Sequence, residues 1–207
     1  MKNKNNFRGY VRPIAVVAIM SALSIVLMML EFSIPLVPNF LKFDISDFPA
    51  VLTSFAISPF AGVAVCLLKN LLHLFYTTTG GVGELANFLI SASLVLPAGL
   101  IYRKFRTRKG AMLGSAVGAV ASAVICVPVN YFITYPFYAA VLMPMDVIMG
   151  LYQKILPSIE SLEEALLIFN LPFTFVKGTA CILLTFLVYK PLSPILKGKN
   201  QKKHEKN

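Results

Sequence analysis

Lys69, Asn70 and His73, followed by Glu84 and Asn87, fall in the stretch KNLLHLFYTTTGGVGELANFL, flanked by apolar runs. An ammonium, an imidazole and a carboxylate so placed are the groups of a proton relay, of an acid–base pair or of a polar ligand site. In or against a membrane, each needs a partner or a ligand to offset its desolvation. Further along, Asn130, Asn170, Thr174 and Lys177 interrupt two other apolar runs. Lys177 lies about eight residues into the run that starts at Phe169, too deep to snorkel easily, with Thr174 three positions before it on the same helical face. An intramembrane lysine reads as functional by default, so Lys177 and Asn130 are expected to face a ligand, and Thr174 less so. Lys69 and His73, at i and i+4, read instead as groups that hold the TTTGGVGE loop to their helix through Glu84. A lone histidine is more often a packing residue than a metal ligand. No nucleophile or metal constellation accompanies His73 and Glu84, so no catalytic residue and no metal site is assigned.

Short motifs exclude more than they assign. GVGELA, 81–86, fits a loose dinucleotide fingerprint but lacks the preceding strand and its βαβ context. There is no GxxxxGK[ST] loop, no HExxH and no soluble stretch long enough for a nucleotide-binding domain. Any ATP-driven movement must therefore draw on another subunit.

The elements that position these residues are membrane helices. Of 207 residues 57% are hydrophobic and 14% charged, with mean hydropathy +0.74, which describes an integral membrane protein. Cys66, Cys126 and Cys181 lie inside apolar runs and read as small core residues. The basic N-terminus, followed by IAVVAIMSALSIVLMMLEF without a small-residue cleavage site, reads as a retained signal anchor. Apolar runs fall at about 13–32, 48–57, 60–76, 86–103, 110–135 and 165–190, and fusing the second with the third across Pro59 gives five spans instead of six.

Charge favours six. Fifteen of nineteen basic residues occupy three clusters: the arm 1–12, RKFRTRK at 103–109, and the C-terminal end from Lys190 on. Only six spans put all three on the cytoplasmic side, with ISPF as a tight turn. Eight of nine acidic residues then fall outside or near the outer surface. The clusters read as topology signals and contacts to anionic membrane lipids, not as a nucleic-acid site. The expected fold is one all-α domain over 1–207, with six transmembrane helices, both termini cytoplasmic, a basic arm 1–12 and a basic tail 191–207.

Two outer segments are expected to cover a cavity. EFSIPLVPNFLKFDISDFP, 31–49, is semi-rigid with its three prolines, and the segment from Pro144 carries a short apolar stretch and then a capping box, Ser161 to Glu164, that starts the last helix. Small residues form two stripes. Gly110, Gly114, Gly118 and Ser122 read as packing within the chain, whereas Ala18 and Ala22, with Ala15 nearby, read equally as packing or as a docking surface for another protein's helix.

KNLLH, GGVGELANFL, LKFDISDFPAVLTSFAISPFAGVAVCLLKN and LPFTFVKG together make residues 10–190 resemble the riboflavin-specific S components of energy-coupling factor (ECF) vitamin transporters. The resemblance implies a six-helix subunit that captures riboflavin outside and passes it inward when docked on a transmembrane coupling protein with two ATPases. Riboflavin is then cargo, and no cofactor is implied. The resemblance implies that the loop 31–47 closes over the flavin, with backbone groups near Leu41 and the neighbouring Phe43 and Asp44 at the site. Polar contacts carry over to Asn130 and Lys177. Thr174 stands where the family's NxxK pattern has Asn, a departure at that contact. Glu84 and Asn87 border the pocket, and Lys69, Asn70 and His73 support it. Ala15, Ala18 and Ala22 match the small-residue motif for docking on the coupling subunit.

The residues suit such a ligand on their own chemistry. Isoalloxazine has a large apolar face and an imide edge that both donates and accepts, and ribityl adds hydroxyls. Two alternatives remain open at this level: an S component for another vitamin, and a proton-coupled carrier in which Lys69, His73 and Glu84 form the relay.

Overall fold

A computed structural model describes the backbone of residues 3–197 and the side chains of residues 11–189. The side chains of the basic tail 191–207, and of Lys2, Lys4 and Arg8 in the arm, lie outside the described residues. Within them the fold is all-helical apart from one small hairpin. Helix α1, Asn3–Met29, leads into the hairpin of β1, Phe32–Ser33, and β2, Lys42–Phe43. Then come α2, Phe48–Ala56, and α3, Pro59–His73, which a single 3-10 turn extends to Tyr76. Helices α4, Val82–Lys104, and α5, Arg108–Val129, form the next pair. A π-helical turn, Asn130–Thr134, joins α5 to α6, Tyr135–Val141. After α7, Met145–Gln153, and α8, Leu162–Ala165, a second π turn, Leu166–Asn170, opens α9, Leu171–Lys197.

Among the described residues, five stretches are long and apolar enough to cross a membrane: Val11–Met29, Pro59–Tyr76, Val82–Lys104, Arg108–Val141 and Leu162–Tyr189. The run expected as a second span, 48–57, is the exception. Helix α2 has nine residues, about 13 Å of rise against a hydrocarbon core of about 30 Å. It is nonetheless a separate arm, not the first half of a kinked helix. Ser58 caps α3 by accepting from the Ala61 amide, Pro59 follows at the first turn, and the chain reverses there. Across that turn a Cβ on Gly62 would lie 2.7 Å from the Ala50 carbonyl oxygen, so only glycine lets the two arms meet.

Small residues set the other close contact as well. On α5, a Cβ at Gly114 would lie 2.6 Å from the Ala98 carbonyl oxygen and one at Gly118 would lie 2.3 Å from that of Leu94. The stripe therefore packs α5 antiparallel on α4, as the spacing predicts. Helix α9 runs parallel to α4, since Gly178 lies beside Leu94 and the Tyr189 and Tyr102 hydroxyls are 2.9 Å apart. Leu94, Val95, Ala98, Val51, Leu52 and Phe55 fill the bundle between the Leu94 level and the Lys104 end of α4. Above that apolar plug the helices separate. By contrast Ala15, Ala18 and Ala22 lie on the outer face of α1, beside the exposed Ile14, Ile19 and Leu23.

Candidate functional site

The segment 31–47 ends inside the bundle, where Leu41, Asp44, Ser46 and Asp47 are buried. Asp44 Oδ1 accepts from the Ser46 amide at 2.8 Å, a local turn that aims the other carboxylate oxygen inward. That oxygen takes Lys177 Nζ at 2.6 Å, and Lys177 is near the middle of the apolar stretch Leu162–Tyr189. Three residues on, Asp47 stands before α2 without capping it. Its carboxylate instead meets Lys69 Nζ at 2.5 Å, and Ser46 Oγ takes the same ammonium at 2.7 Å. Two buried ion pairs thus tie one loop end to α3 and α9. Burial pushes the Asp44 carboxyl up, but Lys177 and Lys69 outweigh it and hold it at about 2. Irregular backbone at this depth is tolerated because it is buried in protein and lines a cavity.

That cavity has a volume of about 370 Å³. Phe40, Leu41 and Lys42 contribute from the loop, Glu84, Asn87 and Ile90 from α4, and Phe173, Thr174 and Lys177 from α9. Both π turns open onto it, through Asn130 and Thr134 on one side and Asn170 on the other. A π turn carries one extra residue per turn, which swings side chains off the regular helical stripe, and such turns recur at functional sites. Pro128 precedes the first one, and its missing N–H frees a carbonyl of the preceding turn.

At the mouth, Gly80 and Gly81 adopt φ of 62° and 88°, a left-handed turn open to glycine. It brings Glu84 under its own loop: Oε2 takes the Thr77 and Thr79 hydroxyls at 2.9 Å each, and Oε1 lies 2.8 Å from His73 Nδ1. The expected clamp of His73 and Glu84 on the TTTGGVGE loop is therefore present. Lys69 does not join it. One turn deeper on α3, it is level with the start of α2, where Asp47 is the near carboxylate. Asn70 likewise turns from the cavity, donating to the Cys66 carbonyl at 2.8 Å. Ser91 donates to Asn87 Oδ1 at 2.9 Å, which leaves the Asn87 amide nitrogen toward the cavity.

Of the residues singled out as ligand-facing, Leu41, Asp44, Glu84, Asn87, Asn130, Thr174 and Lys177 share the cavity wall. Phe43 does not; its ring lies tilted against Phe32 at 5.4 Å and edge-on to Phe173 at 6.0 Å, backing the wall. Sequence reasoning missed Asp47, whose signal was charge balance: DISD offers two carboxylates for two intramembrane lysines. It also missed a closed ring of hydrogen bonds among Tyr135, Tyr152 and Asn170. Tyr152 donates to Asn170 Oδ1 at 2.6 Å, Asn170 Nδ2 donates to the Tyr135 hydroxyl at 3.1 Å, and Tyr135 completes the ring to Tyr152. Phe40 meets both tyrosine rings edge-on, at 6.0 and 5.7 Å. The two outer segments thus lock together over the cavity. Single tyrosines in apolar runs gave no sign of it.

Similarity to known proteins covers this whole architecture. Residues 12–189 match the family described as ECF transporter, substrate-specific component. Riboflavin transporter RibU of Staphylococcus aureus (strain TCH60) is 32% identical over 181 residues, covering 87% of this chain and 90% of its own length. Riboflavin transporter FmnP of Bacillus subtilis (strain 168) is 30% identical over 187 residues, covering 89% and 93%. A solved S component of a bacterial ECF transporter superposes with TM-score 0.69 at 29% identity, covering 89% of this chain and 97% of that one. With residues 12–189 matching its model and relatives 30–32% identical over most of both chains, this multi-pass membrane protein, a bundle of membrane-length helices with a cavity above an apolar plug, belongs to the ECF transporter substrate-specific component family.

Proposed function

We propose that the protein binds riboflavin outside the cell and delivers it inward together with a transmembrane coupling protein and two ATP-binding subunits. The cavity carries the reading. It joins apolar wall from Leu41, Ile90, Leu94 and Phe173 to a few convergent polar groups, the composition expected of a small-molecule site. An isoalloxazine ring needs the first and its imide edge the second. Asn130 both donates and accepts there, and Lys177, with one N–H on Asp44, has two left for ring carbonyls. Leu41, Glu84, Asn87 and Thr174 complete the contacts, Phe43 backs them, and Lys69, Asn70 and His73 hold the frame. Relatives named riboflavin transporters, matched over nearly their full length, support the same ligand.

The chain forms one membrane domain of six passes, with the half-length α2 as the second. Successive reversals return the C-terminus to the side of the N-terminus. The three basic clusters put that side in the cytoplasm and the cavity mouth outside, and they meet anionic lipid there. Fluorescence titration of riboflavin with the detergent-purified chain, without partners or ATP, tests the ligand. Saturable quenching at one flavin per chain, unaffected by thiamine or biotin, is expected. Folded protein that leaves riboflavin fluorescence unchanged overturns the assignment. Uptake into vesicles by the chain alone, driven by a proton gradient, would favour a His73–Glu84 relay instead.

A further inference from the structure

Polar groups on the cavity wall divide into those satisfied within the chain and those that are not. Lys177 has Asp44, Glu84 has His73 with two threonines, and Asn170 has its two tyrosines. Thr134 differs. It is 6% exposed, lines the cavity, and its hydroxyl has no hydrogen-bond partner; among the described residues no other wall residue carries such an orphan. A buried hydroxyl left without a partner destabilises the chain that carries it, so its retention calls for a cause.

The backbone explains how it arises. Three helical threonines satisfy themselves on the carbonyl four residues back: Thr53 on Pro49, Thr179 on Phe175 and Thr185 on Cys181, at 2.7 to 2.8 Å. For Thr134 that carbonyl belongs to Asn130; in the wider π turn the Tyr135 amide bonds it in place of the Thr134 amide, and the Thr134 hydroxyl does not reach it. The same turn puts Asn130 and Thr134 about one turn apart on one wall, since a π turn spans more than four residues. The Asn130 side chain makes no hydrogen bond within the described residues either.

We infer that Thr134 is a ligand-binding residue, whose hydroxyl works beside the Asn130 amide to read a polar edge of the bound flavin. The inference rests on the flavin reading and names a contact beyond it. Thr134→Val keeps shape and branching while deleting the hydroxyl, and Thr134→Ser keeps the hydroxyl. Riboflavin affinity by fluorescence quenching and the Tm of ligand-free protein are measured for both. Thr134→Val should bind riboflavin at least fivefold more weakly while its ligand-free Tm holds or rises, because an unpaired buried hydroxyl has been removed. Thr134→Ser should stay within about twofold of the parent in affinity. A purely structural threonine would not move affinity and ligand-free stability in opposite directions.

Lumiflavin, which lacks the ribityl chain, locates the contact: equal losses with both ligands support a contact to the ring edge, and a loss confined to riboflavin overturns it. Parent-like riboflavin binding by Thr134→Val, or a fall in its ligand-free Tm that accompanies the lost affinity, overturns the inference alone. Absence of flavin binding by the parent overturns the flavin reading and this contact with it.

Discussion

Lys177 and Asp44 meet at 2.6 Å across a long sequence separation, with side-chain exposures of 15% and 2%. Removing one partner of such a pair strands the other, which costs about 3–5 kcal/mol of stability. Lys177→Met should therefore lower the Tm clearly, and it should also weaken riboflavin binding about tenfold or more, the scale of a hydrogen bond from a charged donor. Adding Asp44→Asn separates the two effects. The double variant should recover much of the Tm, since no charge is left stranded, but none of the affinity; recovery of both would make the lysine a structural group only. Acid titration checks the pair from the other side. The Asp44 carboxyl lies at about 2 against an ordinary 3.8, so its contribution to stability is complete above 3.8 and is lost as pH falls through 2. The Tm difference between the parent and Asp44→Asn should be constant from about pH 8 to 5 and shrink below about 4. A difference that shrinks near neutral pH would mean that another group carries it.

Elements were legible where one residue type repeats at helical spacing, and illegible where pairing decides. The glycine stripe Gly110, Gly114, Gly118 predicts close packing of α5, and the structure places those glycines against the carbonyls of α4. Gly118→Val would force a backbone shift and should abolish recovery of folded protein. Gly150 in α7 has nothing within 4 Å of an added Cβ, so Gly150→Ala should raise stability by up to about 1 kcal/mol through helix propensity alone. Equal behaviour of the two variants in thermal melts would refute the packing account. The cap at Ser161 was equally legible: its hydroxyl accepts from the Glu164 amide, while the Glu164 carboxylate reaches back to the Glu160 amide, one residue before the cap. The half-length of α2 was legible too, since the run 48–57 is itself short, but its depth in the bundle was not. Hydropathy sees its apolar run but not that Asp47, at its start, sits level with Lys69 inside the bundle. Which carboxylate answers which lysine depends on the depth to which the loop descends, and the chain's own periodicity carries no measure of that depth.

Over the whole molecule, two stripes of small residues of the same kind have opposite surroundings. The one on α5 is buried against α4, whereas Ala15, Ala18 and Ala22 on α1 stay exposed beside Ile14, Ile19 and Leu23. Lipid alone gives no reason for alanines there, because larger apolar residues would suit it as well; a helix of another protein does, since small residues let backbones approach closely. Of α1's residues the cavity draws on Met28, well beyond the stripe. Ala18→Leu should therefore leave riboflavin affinity within about twofold of the parent while abolishing riboflavin uptake in cells that supply the coupling protein and ATP-binding subunits. Co-purification of those subunits with the variant should fail in step with uptake. If flavin affinity falls as well, the stripe supports the fold of α1 and the docking face must be sought elsewhere. If uptake survives, the coupling subunit reads a different surface of the bundle.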